Sequence, residues 1–295
     1  MLLSCFTYAL MGVFVKMATD SFNVGELSFY RGLFAVVVLG VWVLCTHHSF
    51  VTTHLKEHLL RSLCGTISFL LWFVSLTLIP LSTAMTLGNA TPLCMAAIVV
   101  IYGFIKKRPT SLVLICSAIA GFGGVLMIFS PDTNVNLVGS AFALGSSLVT
   151  AGSYIQIKAL SRLKEPVWRT VFYFSIVNVI LGAMLDFCLP ETSLETSVGW
   201  RDILSLLGMG ACGLAAQLCV TRAFDRSNML VSTILSYSVI VFGILFGFIF
   251  FGDAIDLWMV AGTAVIIVTG VISTMSVKKT RRRSRQPAVE NSLKE

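Results

Sequence analysis

Leu76–Ala97, LTLIPLSTAMTLGNATPLCMAA, sets one proline at a corner between two apolar runs and a second proline deep inside the run that follows. Pro80 and Leu81 make the corner. Pro92 stands beside Asn89 and Thr91 and has no N–H to give the carbonyl of Gly88, and its ring crowds that carbonyl. A helix through this stretch is expected to kink or open. In lipid, a freed backbone carbonyl is tolerated only where protein or a water-filled cavity covers it, so the stretch is expected to line a pathway.

The chain around it supports lipid as the solvent. Of 295 residues 56% are hydrophobic and only 12% charged, about half the charged share of an ordinary soluble domain. Runs of roughly 18–23 apolar residues are the length of a membrane-crossing helix. They predict ten spans, near 1–19, 25–45, 60–79, 82–104, 110–129, 137–158, 167–189, 202–223, 229–251 and 254–275. No basic stretch of the kind that opens a cleavable leader precedes the first run, which is expected to begin at or near Met1.

With the N-terminus on the cytoplasmic side, 18 of the 21 Lys and Arg residues fall on inward-facing segments, leaving Lys16, Arg31 and Arg201 toward the outside. That bias is the positive-inside rule. It accounts for the net charge of +7 without a nucleic-acid partner. Both termini are then cytoplasmic. The last residues, 278–295, form a basic tail expected to be disordered, and its KKTRRRSR run is adjacent to the bilayer, where basic clusters touch anionic lipid heads.

The chain also repeats itself. A shift of 145 residues lays Leu81–Met85 over Arg226–Leu230 and Pro92 over Tyr237, and glycines and corners keep step over about half the chain. Two halves of five spans each, 1–131 and 132–277, contain an odd number of crossings and so must insert in opposite senses. The expected fold is an all-α integral membrane protein of ten transmembrane helices in two inverted five-helix repeats, a plan that places a substrate site at the repeat interface.

The segments SFYRGLFAV (28–36), RSLCGTISFLLWFVSLTLIPLSTAMTL (61–87) and VTRAFDRSNMLVSTILSYSVIVFGILFGFIFFGDAIDLWMVAGTAVIIVTGVI (220–272) resemble the EamA-type members of the drug/metabolite transporter superfamily. The resemblance extends over nearly the whole chain. It implies a ten-helix carrier of small organic metabolites in the cytoplasmic (inner) membrane, with S-adenosylmethionine-, amino-acid- or riboflavin-like substrates as examples. The first half departs from the pattern in having Lys107-Arg108-Pro109 where the second keeps Gly252-Asp253.

Candidate substrate-binding residues follow from depth and polarity. Asn89 and Thr91 flank Pro92, and Ser236 and Tyr237 hold the corresponding depth in the ninth span; Trp72, Gln156 and Gln217 stand within the third, sixth and eighth. Amides and hydroxyls at such depth orient a ligand while aromatic faces supply contact area; interhelical hydrogen bonds are the competing explanation. Lys16 and Arg31, with Glu26 nearby, read either as a cationic vestibule for an anionic or zwitterionic substrate or as snorkelling cations in a structural ion pair.

Other chemistry finds little support. The eight cysteines are scattered singly, and His54 and His58 have a metal-compatible spacing with no third ligand, so that neither a disulfide framework nor a metal site is expected and the histidines read as a solvated linker. No nucleophile elbow, HExxH, Walker A or dinucleotide fingerprint occurs, so the chain is read as a non-enzyme needing no cofactor. A passive pore is the alternative to a carrier. Gly243 and Gly247 form a GxxxG, expected to serve close helix packing, with a homodimer face as the alternative.

Overall fold

The computed structural model describes residues 1–105, 112–128, 136–188, 199–226, 232, 235–272 and 275. The Lys107–Pro109 corner and the basic tail lie outside them. The described residues are almost wholly helical: α1 (Leu2–Ala18), α2 (Val24–Cys45), α3 (Leu55–Leu78), α4 (Leu81–Gly88), α5 (Thr91–Ile105), α6 (Leu112–Ile128), α7 (Leu137–Arg162), α8 (Val167–Cys188), α9 (Trp200–Arg226), α10 (Ser238–Phe246) and α11 (Leu257–Ile272). Five of them, α2, α3, α7, α8 and α9, are long and apolar enough to cross a membrane.

The fourth span is the broken one. Asn89 and Ala90 leave helical geometry, Ala90 N–H donating to Leu87 O at 3.2 Å, and a new helix begins at Thr91. Pro92 thereby falls in the first turn of α5, where a missing N–H costs no helical bond. The expected kink is thus a complete interruption. Asn89 Nδ2 donates to Met85 O at 2.8 Å and covers a carbonyl at the end of α4. In the ninth span Tyr237 is the residue from which α10 starts, and α10 ends in a π-helical turn, Gly247–Phe251, closed by Gly252 at φ +64°.

Helix ends carry their own signals. Asn23 and Glu26 form a reciprocal capping box on α2, at 2.9 and 2.8 Å. Glu26 is therefore engaged by the backbone and makes no ion pair with Arg31 or Lys16. Asn136 Oδ1 accepts from Val138 and Gly139 at the start of α7. At the Pro80 corner two long-range groups intervene. Lys16 Nζ donates to Leu76 O (3.2 Å) and Ile79 O (2.7 Å) at the C-terminus of α3, and Asp253 Oδ2 accepts from Ser82 N (3.0 Å) and Ser82 Oγ (2.7 Å) at the N-terminus of α4. Each charge complements the helix end that it meets.

The helices pack in pairs: α1 on α9, α2 on α8, α3 on α7, α4 on α10, and α5 on α6. Glycines set the closest approaches. The Gly243 and Gly247 face lies against Met85 and Ser82 of α4, so this GxxxG packs the chain onto itself. The bare face of α9 receives Phe14 at Gly208 and Phe34 at Gly210.

The Met1 end is tied by a different cluster. His58 is fully buried rather than on a solvated linker, because α3 begins at Leu55, earlier than hydropathy suggests. Its Nε2 lies 3.4 Å from Glu165 Oε2, which also takes Arg169 Nη1 at 2.9 Å, while Glu165 Oε1 accepts from Thr52 Oγ1 at 2.6 Å. Burial alone raises the Glu165 pKa, but the bonds from Thr52, Arg169 and His58 outweigh it and hold the carboxyl below its ordinary 4.5. A carboxylate depressed in the folded state stabilises the protein above its unfolded pKa and loses that contribution as pH falls through the folded one. Glu165→Gln is expected to cost about 2 kcal/mol at neutral pH. In thermal unfolding followed from roughly pH 5 downward, through the depressed folded-state pKa, the variant should also lack part of the wild type's acid-induced loss.

Candidate functional site

A cavity with about 60 Å³ open to the centres of water molecules lies where α1, α3, α4, α7, α9 and α10 converge. Its walls come from the halves of these helices nearest Met1. Tyr8 of α1, Phe69 and Trp72 of α3 and Tyr154 of α7 supply aromatic faces. Tyr8 and Trp72 have ring centroids 5.3 Å apart, and Tyr8 and Phe69 5.7 Å. Between them stand short polar groups: Ser68, whose Oγ donates to Ser146 O at 2.9 Å and makes a short hydroxyl contact with Thr150, together with Ser153 and Asn89. The Trp72 Nε1–H has no partner among the described residues.

Arg61 forms part of the same wall. It is 2% exposed, and its guanidinium carbon lies 4.1 Å from the centroid of Phe174. Nη2 donates to Gln217 Oε1 at 3.1 Å, while Nε and Nη1 have no partner among the described residues. Gln217 also borders a small adjoining crevice, lined by Arg31. Arg31 is 4% exposed, stacked 3.9 Å from Phe69 and 5.3 Å from Phe174. Among the described residues no carboxylate pairs with either arginine.

The residues singled out from sequence are thus distributed unevenly. Trp72, Asn89, Gln217 and Ser236 line the cavity, and Arg31 borders the crevice beside it. Thr91 and Tyr237 are buried behind the lining, Gln156 is half-buried outside it, and the side chain of Pro92 lies outside the description. Lys16 is at the far end, on α3's carbonyls. Sequence reasoning missed Tyr8, Tyr154 and Arg61. For Arg61 a signal existed: it opens RSLCGTIS, where Ser62, Thr66 and Ser68 interleave with apolar residues at the start of an apolar span.

The far end of the bundle is closed by polar contacts. Besides Lys16 and Asp253, Ser21 Oγ donates to Asp202 Oδ1 at 2.8 Å and Asn23 Nδ2 to Asp186 Oδ1 at 2.7 Å. The bundle therefore holds a polar, aromatic-walled cavity toward one end and a hydrogen-bonded seam at the other. No group of three or more metal-ligating side chains occurs among the described residues.

The model of the EamA-like transporter family matches residues 1–130 and 137–275. The chain belongs to that family, within the drug/metabolite transporter superfamily. It is 24% identical over 282 residues to the pseudopaline exporter CntI of Pseudomonas aeruginosa, covering 94% of this chain and 95% of the exporter. It is 22% identical to human solute carrier family 35 member G1, over 92% of this chain and 76% of that carrier. A riboflavin transporter of Brucella anthropi is 22% identical over 90% of this chain and 94% of its own. A protein of known crystal structure superposes with a TM-score of 0.63 at 16% identity, covering 94% of this chain and 97% of its own, and shares the fold. This EamA-family chain is a multi-pass membrane transport protein.

Proposed function

We propose that this EamA-family protein is a secondary transporter that moves a small polar organic molecule across the cytoplasmic membrane by alternating access. Two inverted halves, 1–131 and 132–277, would rock about the cavity, both termini being cytoplasmic. The observation that carries the reading is the cavity itself: its walls come from α1, α3 and α4 on one side of residue 131 and from α7, α9 and α10 on the other. The helix pairing supports the inverted repeat. Exchanging the first five spans for the last five turns the α3–α7 pair into α9–α1 and leaves α2–α8 and α4–α10 unchanged. The seam at the Pro80 end closes the path to the outside, so this conformation corresponds to an inward-facing carrier, in keeping with the charge bias.

Asn89, Trp72, Gln217 and Ser236 are proposed to contact the substrate, with Thr91, Pro92 and Tyr237 shaping the broken fourth and ninth spans behind them. Gln156, outside the lining, and Lys16, at the seam, are left with interhelical roles. Removing one ligand hydrogen bond costs about 1 kcal/mol, or roughly fivefold in transport efficiency. Proteoliposome flux of amino acids, nucleosides, S-adenosylmethionine and flavins should reveal the transported solute. Asn89→Ala and Trp72→Phe, which removes the indole N–H from the lining, should each then lower its rate by about that factor. Unchanged flux in both variants would remove these residues from the site.

A further inference from the structure

From Arg61 we infer that the transported molecule is a small organic carboxylate, bound with its negative charge on that guanidinium; the inference rests on the transport reading above. Arg61 is 2% exposed, sits in the cavity wall, and among the described residues leaves Nε and Nη1 without partners. A guanidinium remains protonated in proteins. Burying such a charge with no counter-ion is among the costlier arrangements a fold can hold. Phe174 at 4.1 Å offsets part of that cost through its ring face. Gln217, its hydrogen-bond partner among the described residues, is neutral.

Arg31 adds a second buried cation beyond Gln217, its Nε also unpartnered, and the described cavity lining contains no Asp or Glu. The field in this part of the bundle is therefore positive and weakly screened, which favours an anion over a neutral or cationic solute. A carboxylate fits better than a phosphate dianion because the described lining of the cavity holds one guanidinium. The other polar groups, Ser68, Ser153 and Asn89, suit neutral hydroxyl, amide or amine functions, and the Tyr8–Trp72 faces suit the ligand's apolar body. Gln217 holds Arg61 in place; Arg61 itself receives the charge.

The test is a thermal-shift titration of the purified protein with a panel of small carboxylic acids, each paired with its methyl ester, on wild type, Arg61→Gln and Arg61→Lys. At least one acid should stabilise the wild type while its ester does not. Arg61→Gln should raise the half-saturating concentration of that acid at least tenfold, and Arg61→Lys should recover part of the loss. The empty Arg61→Gln protein should melt no lower than wild type, since it loses an uncompensated charge; a purely structural arginine would lower it. Equal stabilisation by acids and esters, no stabilisation by any acid, or undiminished acid binding by Arg61→Gln overturns the inference. Flux in proteoliposomes separates this from the transport reading. Movement of neutral solutes alone sinks the carboxylate and spares the carrier, whereas no flux of any solute sinks the carrier.

Discussion

Gly182→Leu is expected to abolish recovery of folded, monodisperse protein. At the α2–α8 crossing a Cβ on Gly182 would lie 2.6 Å from Phe29 N and 2.9 Å from Gly25 O. The contact is reciprocal: a Cβ on Gly25 would meet Asp186 N at 2.5 Å, and one on Gly32 would meet Ser175 O and Val179 N at 2.9 Å. All of these neighbours are backbone atoms. No flexible side chain can yield, so the two helices must separate along their length, and the small-residue face that lets them approach is lost. Overpacking costs about 1–3 kcal/mol where side chains can adjust, and more where backbone must move.

The control lies on the partner helix, α2. A Cβ on Gly40 would meet nothing within 4 Å, so Gly40→Ala should be neutral or stabilising by up to about 1 kcal/mol through helix propensity. Size-exclusion profiles and melting temperatures in detergent read both variants. A Gly182→Leu protein that elutes and melts like wild type would mean that the α2–α8 contact is looser than its geometry.

The contrast between these two glycines shows where sequence runs out. Hydropathy alone locates the spans, because each must offer lipid an apolar surface, and the Pro92 interruption is legible because proline's missing N–H is a local fact. Gly25, Gly40 and Gly182 look alike in sequence, and only the crossing distinguishes them. Arg61 was obscured for a related reason. A hydropathy window starts the third span at residue 60, which makes Arg61 an edge residue already explained by the positive-inside bias, whereas α3 begins at Leu55 and carries it nearly two turns into the helix. Tyr8 and Tyr154 are ordinary aromatic residues of apolar spans until the packing of α1, α3 and α7 turns them toward one space. The Asp253–Ser82 contact joins residues 171 apart, and nothing local in either segment announces it.

That contact carries the second large effect. Asp253 accepts from both the backbone and the hydroxyl of Ser82, while its own N–H donates to Gly247 O at 3.1 Å. One carboxylate therefore joins the turn after α10 to the first turn of α4, beside the corner that Lys16 caps. On the alternating-access proposal this seam must part for the outward-facing state to form. Hydrogen bonds to a charged group contribute about 1.5–3 kcal/mol each, so Asp253→Ala should shift the balance toward the outward-facing state by roughly ten- to a hundredfold.

Hydrogen exchange distinguishes this from simple loss of a cap. Opening the seam should speed exchange in α4 and in the Lys16 end of α1 by at least tenfold. Rocking of the halves should at the same time slow exchange around Tyr8, Tyr154 and Val220, as the Met1 end of the cavity closes. The two changes have opposite signs at opposite ends of the bundle, which no local fraying produces. Faster exchange confined to Leu81–Met85 would reduce Asp253 to a helix cap and remove it from the transport cycle.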